Sequence, residues 1–266
     1  MKTQTTAACI GVFDSGVGGL TVLRELHRQA PNVPLHYVAD TAHAPYGERT
    51  ADQITQRCLR LSEHLIADGA AVLVVACNTA TAHAVLALRE RWPALPIVGT
   101  EPGIKPAVAT TRNGRIGVLA TPATIASARY QSLLARHSGT AEVISQPCPG
   151  LADLIEHGDF DSPALCDLID KFCAPLRAAG VDTVLMGCTH YPLIQPLIQA
   201  ALGPDVQLLN IETAVARQAL SRWNELALVA DESSIVLQTT GNVASFSVFA
   251  RHALESPEAQ ATRVNS

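Results

Sequence analysis

Two stretches decide how this chain folds: Asp68-Gly-Ala-Ala-Val-Leu-Val-Val-Ala-Cys77-Asn-Thr79 and Ala179-Gly-Val-Asp-Thr-Val-Leu-Met-Gly-Cys188-Thr-His190. Each passes a glycine turn, runs through a short apolar segment, and ends on a cysteine followed by small polar residues. A continuous apolar run of strand length is the mark of a strand buried on both faces, as in a parallel sheet covered by helices. A second pair repeats the relation, Cys9-Ile-Gly-Val-Phe-Asp14 with Arg115-Ile-Gly-Val-Leu-Ala120. The cysteines are offset by 111 residues and the second pair by 106, so the spacing predicts two related halves.

The same alternation extends outward. Strands are expected at 9–14, 35–39, 72–76, 97–100, 115–120, 141–145, 183–186, 206–209 and 235–238. Amphipathic helices are expected between them at 21–29, 51–68, 80–91, 124–136, 164–179, 213–225 and 246–254. Strand and helix in strict alternation predict an α/β chain with parallel sheets. Composition agrees, with 266 residues, 48% hydrophobic, 16% charged and a net charge of −5. That is enough apolar mass for one large or two moderate cores. It lacks the basic footprint of a nucleic-acid binder or a membrane-surface protein. The longest apolar run, 70–77, falls far short of the ~20 residues of a membrane span, and Met1–Ala8 has no apolar leader core. The seven cysteines form no C-x-x-C pair. Neither a disulfide framework nor a metal site is expected, and the simplest compartment is a reducing cytoplasm.

Ligands of open parallel sheets sit beyond the carboxyl ends of the strands. There this sequence places Asp14-Ser15-Gly16, Asp40-Thr41, Cys77-Asn78-Thr79, Thr121 and Cys188-Thr189-His190. Two thiols facing one cleft have a specific use. Inverting an α-carbon requires a proton to leave one face and another to arrive at the opposite face, which a thiolate and a thiol on opposed sides accomplish. A free thiol is only a few per cent ionised at neutral pH, and a helix starting directly after each cysteine would favour the anion. Asp14 and His190 are placed to accept protons or orient the thiols. Cys9, Cys58, Cys148, Cys166 and Cys173 read as core residues, the last two as one buried helix stripe seven residues apart. The Gly16-Val-Gly18-Gly19 turn lacks the third glycine of a dinucleotide fingerprint and follows an acid. It reads instead as a loop whose N–H groups receive a small anion such as a carboxylate. Pro45-Tyr46-Gly47 has turn chemistry, and its Tyr46 reads equally as packing or as a binding-site wall.

These motifs together resemble one family. Gly11-Val-Phe-Asp-Ser-Gly-Val-Gly-Gly-Leu-Thr-Val-Leu23, Asp40-Thr-Ala, Pro45-Tyr-Gly47, Ala76-Cys-Asn-Thr-Ala80, Glu101-Pro-Gly103 and Gly187-Cys-Thr-His-Tyr-Pro-Leu193 are similar, in order, to the glutamate racemases of the aspartate/glutamate racemase family. The resemblance implies two α/β domains related by a pseudo-twofold, residues 1–98 plus 210–266 and residues 99–209, with the active site between them. It implies cofactor-independent conversion of L- to D-glutamate for peptidoglycan, by a homodimer. Cys77 and Cys188 become the two acid/bases, with Asp14 and His190 assisting. Glu156, eight residues after Cys148 of a Cys-Pro pair, supports the second cysteine. Asp14, Ser15, Pro45, Tyr46, Gly47, Asn78, Thr79, Thr121, Thr124 and Thr189 become substrate contacts. The chain departs from the family pattern at His43, in the Pro-Gly-Leu-Ala-Asp segment before Glu156, and over Leu237-Gln-Thr-Thr-Gly-Asn242.

Three alternatives stand beside this reading. A sister racemase acting on aspartate or a hydantoin shares the cysteines but generally lacks D-S-G-V-G-G together with P-Y-G. A Cys–His hydrolase using Cys188 and His190 leaves Cys77 without a task. A bilobal small-molecule sensor needs neither thiol.

Overall fold

The computed structural model describes residues 8–228 and 234–264. The opening segment read as lacking a leader therefore lies, but for Ala8, outside the described residues. In chain order the first half holds β1 (Cys9–Asp14), α1 (Leu20–Gln29), β2 (Leu35–Ala39), α2 (Ala51–Ala67), β3 (Ala70–Val75), α3 (Asn78–Arg91) and β4 (Ile97–Gly99). Next come α4 (Ile104–Thr110), β5 (Arg115–Ala120), α5 (Pro122–Ala126), α6 (Ala128–His137), β6 (Glu142–Pro147), α7 (Leu151–His157) and α8 (Pro163–Ala178). The chain finishes with β7 (Thr183–Met186), α9 (Gln195–Leu202), β8 (Gln207–Leu209), α10 (Glu212–Glu225), β9 (Ile235–Thr239), α11 (Val243–Ala253) and β10 (Ala261–Arg263).

Two parallel sheets result, one in the order β10-β9-β2-β1-β3-β4 and the other β6-β5-β7-β8. The run β2-β1-β3-β4 and the whole second sheet have the same strand order, as the internal repeat predicts. Cys77 follows β3 and Cys188 follows β7, which are equivalent strands. Side chains alternate across each strand. In the first sheet Ile10, Val12, Val72 and Val74 meet Leu20, Leu23 and Leu26 of α1 and Ala219 and Trp223 of α10. Phe13, Leu73 and Val75 point the other way, onto Ile54, Cys58, Leu61 and Leu65 of α2. The second sheet is likewise covered on both faces, by α7, α8 and α9 on one side and α4 and α6 on the other. Burial on both faces is why these strands read as unbroken apolar runs. Among the described residues no helix is long and apolar enough to cross a membrane.

Three local readings are corrected. The helix expected over 124–136 is two helices, broken at Ser127 in extended conformation. Its hydroxyl caps the N–H of Tyr130 at 3.1 Å, and this N-cap bond favours a new start over continuation. No α-helix starts directly after Cys188. A 3-10 turn over Tyr191–Ile194 comes first and α9 follows, because Pro192 and Pro196 lack the N–H groups a continuous helix needs. Cys166 is exposed while Cys173 is buried. The stripe of α8 runs through Leu165, Ile169, Phe172 and Leu176, and Cys166 lies on its flank in the first turn.

Candidate active site

Cys77 ends the β3 run and N-caps α3, its sulfur accepting the N–H of Ala80 at 3.4 Å. On its other side lies the Ser15 hydroxyl, 3.6 Å away. Ser15 in turn donates to Asp14 Oδ1 at 3.3 Å. Asp14 thus reaches Cys77 through a serine that the sequence reading treats as a substrate contact. The helix terminus does not set the direction of the thiol's shift. Burial, with the nearby Asp14 charge adding to it, pushes the Cys77 thiol up to about 12.

Cys188 has a different partner. Its sulfur lies 3.5 Å from His190 Nδ1, and the far ring nitrogen, Nε2, is 2.5 Å from Glu156 Oε1 on α7. Burial works against the imidazolium. The Cys188 sulfur and the Glu156 carboxylate on either side of the ring outweigh it and raise the His190 pKa well above its ordinary value. Sulfur, imidazole and carboxylate form a line in which each group orients the next.

The Gly16–Gly19 turn does receive carboxylates, and they belong to the protein. The Gly16 N–H donates to Asp14 Oδ1 at 2.8 Å, and the Val17 N–H to Glu156 Oε1 at 2.7 Å. The expectation that these N–H groups await a small anion is corrected accordingly. The glycines are needed for close approach. A Cβ on Gly16 would collide with the Glu156 carboxylate, and one on Gly18 would lie 2.6 Å from His190 Nδ1 and from Thr189 Oγ1. Asp14 also accepts from Thr189 Oγ1 at 2.9 Å. Burial raises the Asp14 carboxyl above its ordinary value, against the pull of His190 and these hydrogen bonds.

A small cavity, with a volume of about 20 Å³, lies between the sheet ends, and both thiols line it. Ser15, Pro45, Tyr46, Gly47, Asn78, Thr79, Thr121, Glu156 and His190 line it too, as do Ala44 and Ala152, which the sequence did not single out. Thr124 and Thr189 stand one layer back. Thr124 is hydrogen-bonded to Thr79 and Thr121, whose hydroxyls are themselves 2.9 Å apart. Both polar atoms of the Asn78 amide are buried with no hydrogen-bond partner among the described residues. Tyr46 donates its hydroxyl to Asp40 Oδ2 at 2.5 Å, so it offers the cavity a ring and not a free O–H. Asp40 also takes two bonds from the Arg57 guanidinium, at 2.8 and 2.9 Å, which anchors the 45–47 turn. Arg57 was missed in the sequence, although an arginine beside the apolar stripe of α2 is the kind of signal that marks a buried ion pair.

A family model described as Asp/Glu/hydantoin racemase matches residues 10–229. The chain belongs to that family. It is 53% identical over 211 residues to a glutamate racemase of Ectopseudomonas mendocina, covering 79% of this chain and 80% of that one. A crystal structure of a glutamate racemase isoform from Bacillus anthracis superimposes with a TM-score of 0.87 at 33% identity, covering 98% of both chains. One from Francisella tularensis, in complex with D-glutamate, gives 0.85 at 27% identity, again covering 98% of both. In this racemase of the family, Ser15, Asn78, Thr79, Thr121 and His190 gather at one cavity with a thiol from each sheet, while Asp14, Asp40, Thr41 and Thr189 stand outside its lining.

Proposed function

We propose that this chain interconverts L- and D-glutamate without a cofactor, by two-base proton transfer at the α-carbon. One observation carries the reading: Cys77 and Cys188, at equivalent strand ends of two sheets, line one small cavity, each with its own polar relay. In one direction the thiolate of one cysteine takes the α-proton, leaving a carbanion. The thiol of the other cysteine delivers its proton to the opposite face. The first sulfur ends as thiol and the second as thiolate, so proton and charge balance and the reverse reaction exchanges the roles. Asp14 acts on Cys77 through Ser15. His190, oriented by Glu156, acts on Cys188. The substrate α-ammonium, entering beside a sulfur whose pKa burial has raised, favours its ionised form.

Ser15, Pro45, Tyr46, Gly47, Asn78, Thr79 and Thr121 are the proposed substrate contacts. Thr124 and Thr189 hold Thr79 and Asp14 in place. The unpartnered Asn78 amide supports this assignment, because a buried amide without partners costs about 1–3 kcal/mol unless a ligand supplies them. The proposed domains are 1–98 plus 210–266 and 99–209. Membership of β9 and β10 in the first sheet supports the discontinuous arrangement. The proposed setting is the cytoplasm, where a homodimer supplies D-glutamate for peptidoglycan.

The test uses L-glutamate in D₂O with purified protein and no added cofactor. The α-hydrogen exchanges and optical rotation decays to zero. Cys77→Ser and Cys188→Ser each reduce racemisation at least ~1,000-fold while the fold is kept. Near-full activity in either variant excludes the two-thiol reaction. Exchange with aspartate in preference to glutamate moves the substrate to the sister class.

A further inference from the structure

We propose that His36, His64 and Asp68 form a binding site for a divalent transition-metal ion of the zinc class, near the amino end of β2, remote from the thiols at the carboxyl ends of the strands. The three donors come from two elements that pack on each other. His36 is the second residue of β2, His64 lies in the last turn of α2, and Asp68 caps that helix. One ligand atom from each lies within 4.8 Å of the other two. Asp68 Oδ2 is 3.6 Å from His64 Nε2 and 3.9 Å from His36 Nδ1. Tetrahedral zinc with bonds near 2.0–2.1 Å separates its ligand atoms by about 3.4 Å, so the two Asp68 distances need to shorten by about half an ångström or less, while the two imidazole nitrogens, within 4.8 Å of each other, close the rest of the triangle. Two imidazoles and a carboxylate are a borderline donor set that suits such ions rather than magnesium or calcium.

Gln238 on β9 supplies the outer support such sites use. Its Oε1 lies 2.9 Å from His36 Nε2. An amide oxygen only accepts, so Nε2 carries the proton, and in a neutral imidazole the other nitrogen, Nδ1, is then a lone pair. That lone pair faces the Asp68 carboxylate oxygen, an arrangement of two acceptors that a cation resolves. Gln238 Oε1 also lies 2.6 Å from His64 Nε2, so a bound ion takes over the nitrogen that this bond now occupies. The cluster opens outward, the side-chain exposure rising from 6% at His36 to 24% at His64 and 40% at Asp68. Asp68 and His64 are therefore within reach of solvent. Gln238 falls in the segment where the chain departs from its family pattern. A bound ion would tie β2 to the end of α2. The absence of C-x-x-C, which led the sequence reading to expect no metal, does not bear on a site built from imidazoles.

Titration of the full chain with Co²⁺, followed by visible absorption and calorimetry, tests this. The expected result is one site per chain with d–d bands of nitrogen/oxygen ligation and no sulfur-to-cobalt charge transfer. Zn²⁺ displaces the cobalt and raises the thermal midpoint. His64→Asn with Asp68→Asn abolishes that site. Gln238→Leu weakens it roughly 10- to 100-fold. Both leave glutamate racemisation without metal unchanged. Binding of equal strength in the double variant, a thiolate charge-transfer spectrum in place of the nitrogen/oxygen one, or no binding at all overturns the proposal.

Discussion

Asn78 shows how a single side chain trades stability for binding. Its amide is buried at the cavity wall with neither polar atom partnered among the described residues. Replacing it with leucine of similar size removes an unsatisfied group worth about 1–3 kcal/mol. Asn78→Leu should therefore raise the thermal midpoint while raising KM for glutamate at least tenfold. A midpoint that falls argues that the amide has partners in the free protein. Gly16 tests the second relay without replacing any of its members. A Cβ there displaces the Glu156 carboxylate, which removes an anion from the His190 ring. Glu156 contributes to the raised His190 pKa, so its loss lowers that pKa. Gly16→Ala should reduce kcat by roughly 10- to 100-fold, the scale of losing part of one acid–base group. The basic limb of its pH profile should move to lower pH. Loss of activity with an unmoved profile would make the effect steric crowding of the cavity.

At the scale of elements, the loop from α4 into β5 is pinned by Asp182 at the start of β7. Its carboxylate accepts from the Thr111 hydroxyl at 2.6 Å and from the N–H groups of Arg112 and Asn113 at 2.7 and 2.8 Å. Desolvation opposes the charge, but these bonds prevail and hold the carboxyl below its ordinary value. A folded-state pKa below the unfolded one stabilises above about pH 4 and is lost as pH falls through the folded value. Asp182→Asn should lower the melting midpoint at neutral pH by about 2–4 °C, as for a loss on the order of 1 kcal/mol. Melts across pH 2–7 should show the gap to the parent closing on the acid side. A gap independent of pH would assign the effect to geometry, not charge. Element type was readable in this chain because strands buried on both faces give unbroken apolar runs. Ser127 was not readable as a break, since a serine inside an amphipathic pattern looks the same whether it faces solvent or caps a new helix. The fate of the Gly16–Gly19 N–H groups was equally hidden. Glu156, the acceptor of the Val17 N–H, lies 139 residues away along the chain, and only packing of the two halves brings it there. The thiols were legible because they stand at strand ends, while the His36–His64–Asp68 cluster was not, being split between a strand and a helix end.

At the scale of the molecule, the two-sheet arrangement gives the proposed reaction a stereochemical test. Cys77 belongs to the strand-end surface of one sheet and Cys188 to that of the other, and the cavity separates them. Bonds between the halves hold this opposition: Thr189 to Asp14, Val17 to Glu156, and Thr79 to Thr121. On the proposed two-thiol reaction, a substrate carbon held there would present opposite faces to the two sulfurs, and each sulfur would take a proton from only one enantiomer. A partial reaction that needs removal alone exposes this. In elimination from a β-halogenated glutamate, a thiolate takes the α-proton, the carbon–halogen bond breaks and halide leaves, with no proton returned to carbon. Cys77→Ser should then lose elimination from one enantiomer far more than from the other, and Cys188→Ser should show the reverse preference. The expected inversion is a factor of at least ~10 in each variant's enantiomer ratio, read as halide release from each pure enantiomer. Equal losses for both enantiomers would mean that the sulfurs do not oppose one another across the carbon. Loss of both enantiomers in one variant, with both kept in the other, would leave one thiol as the only base.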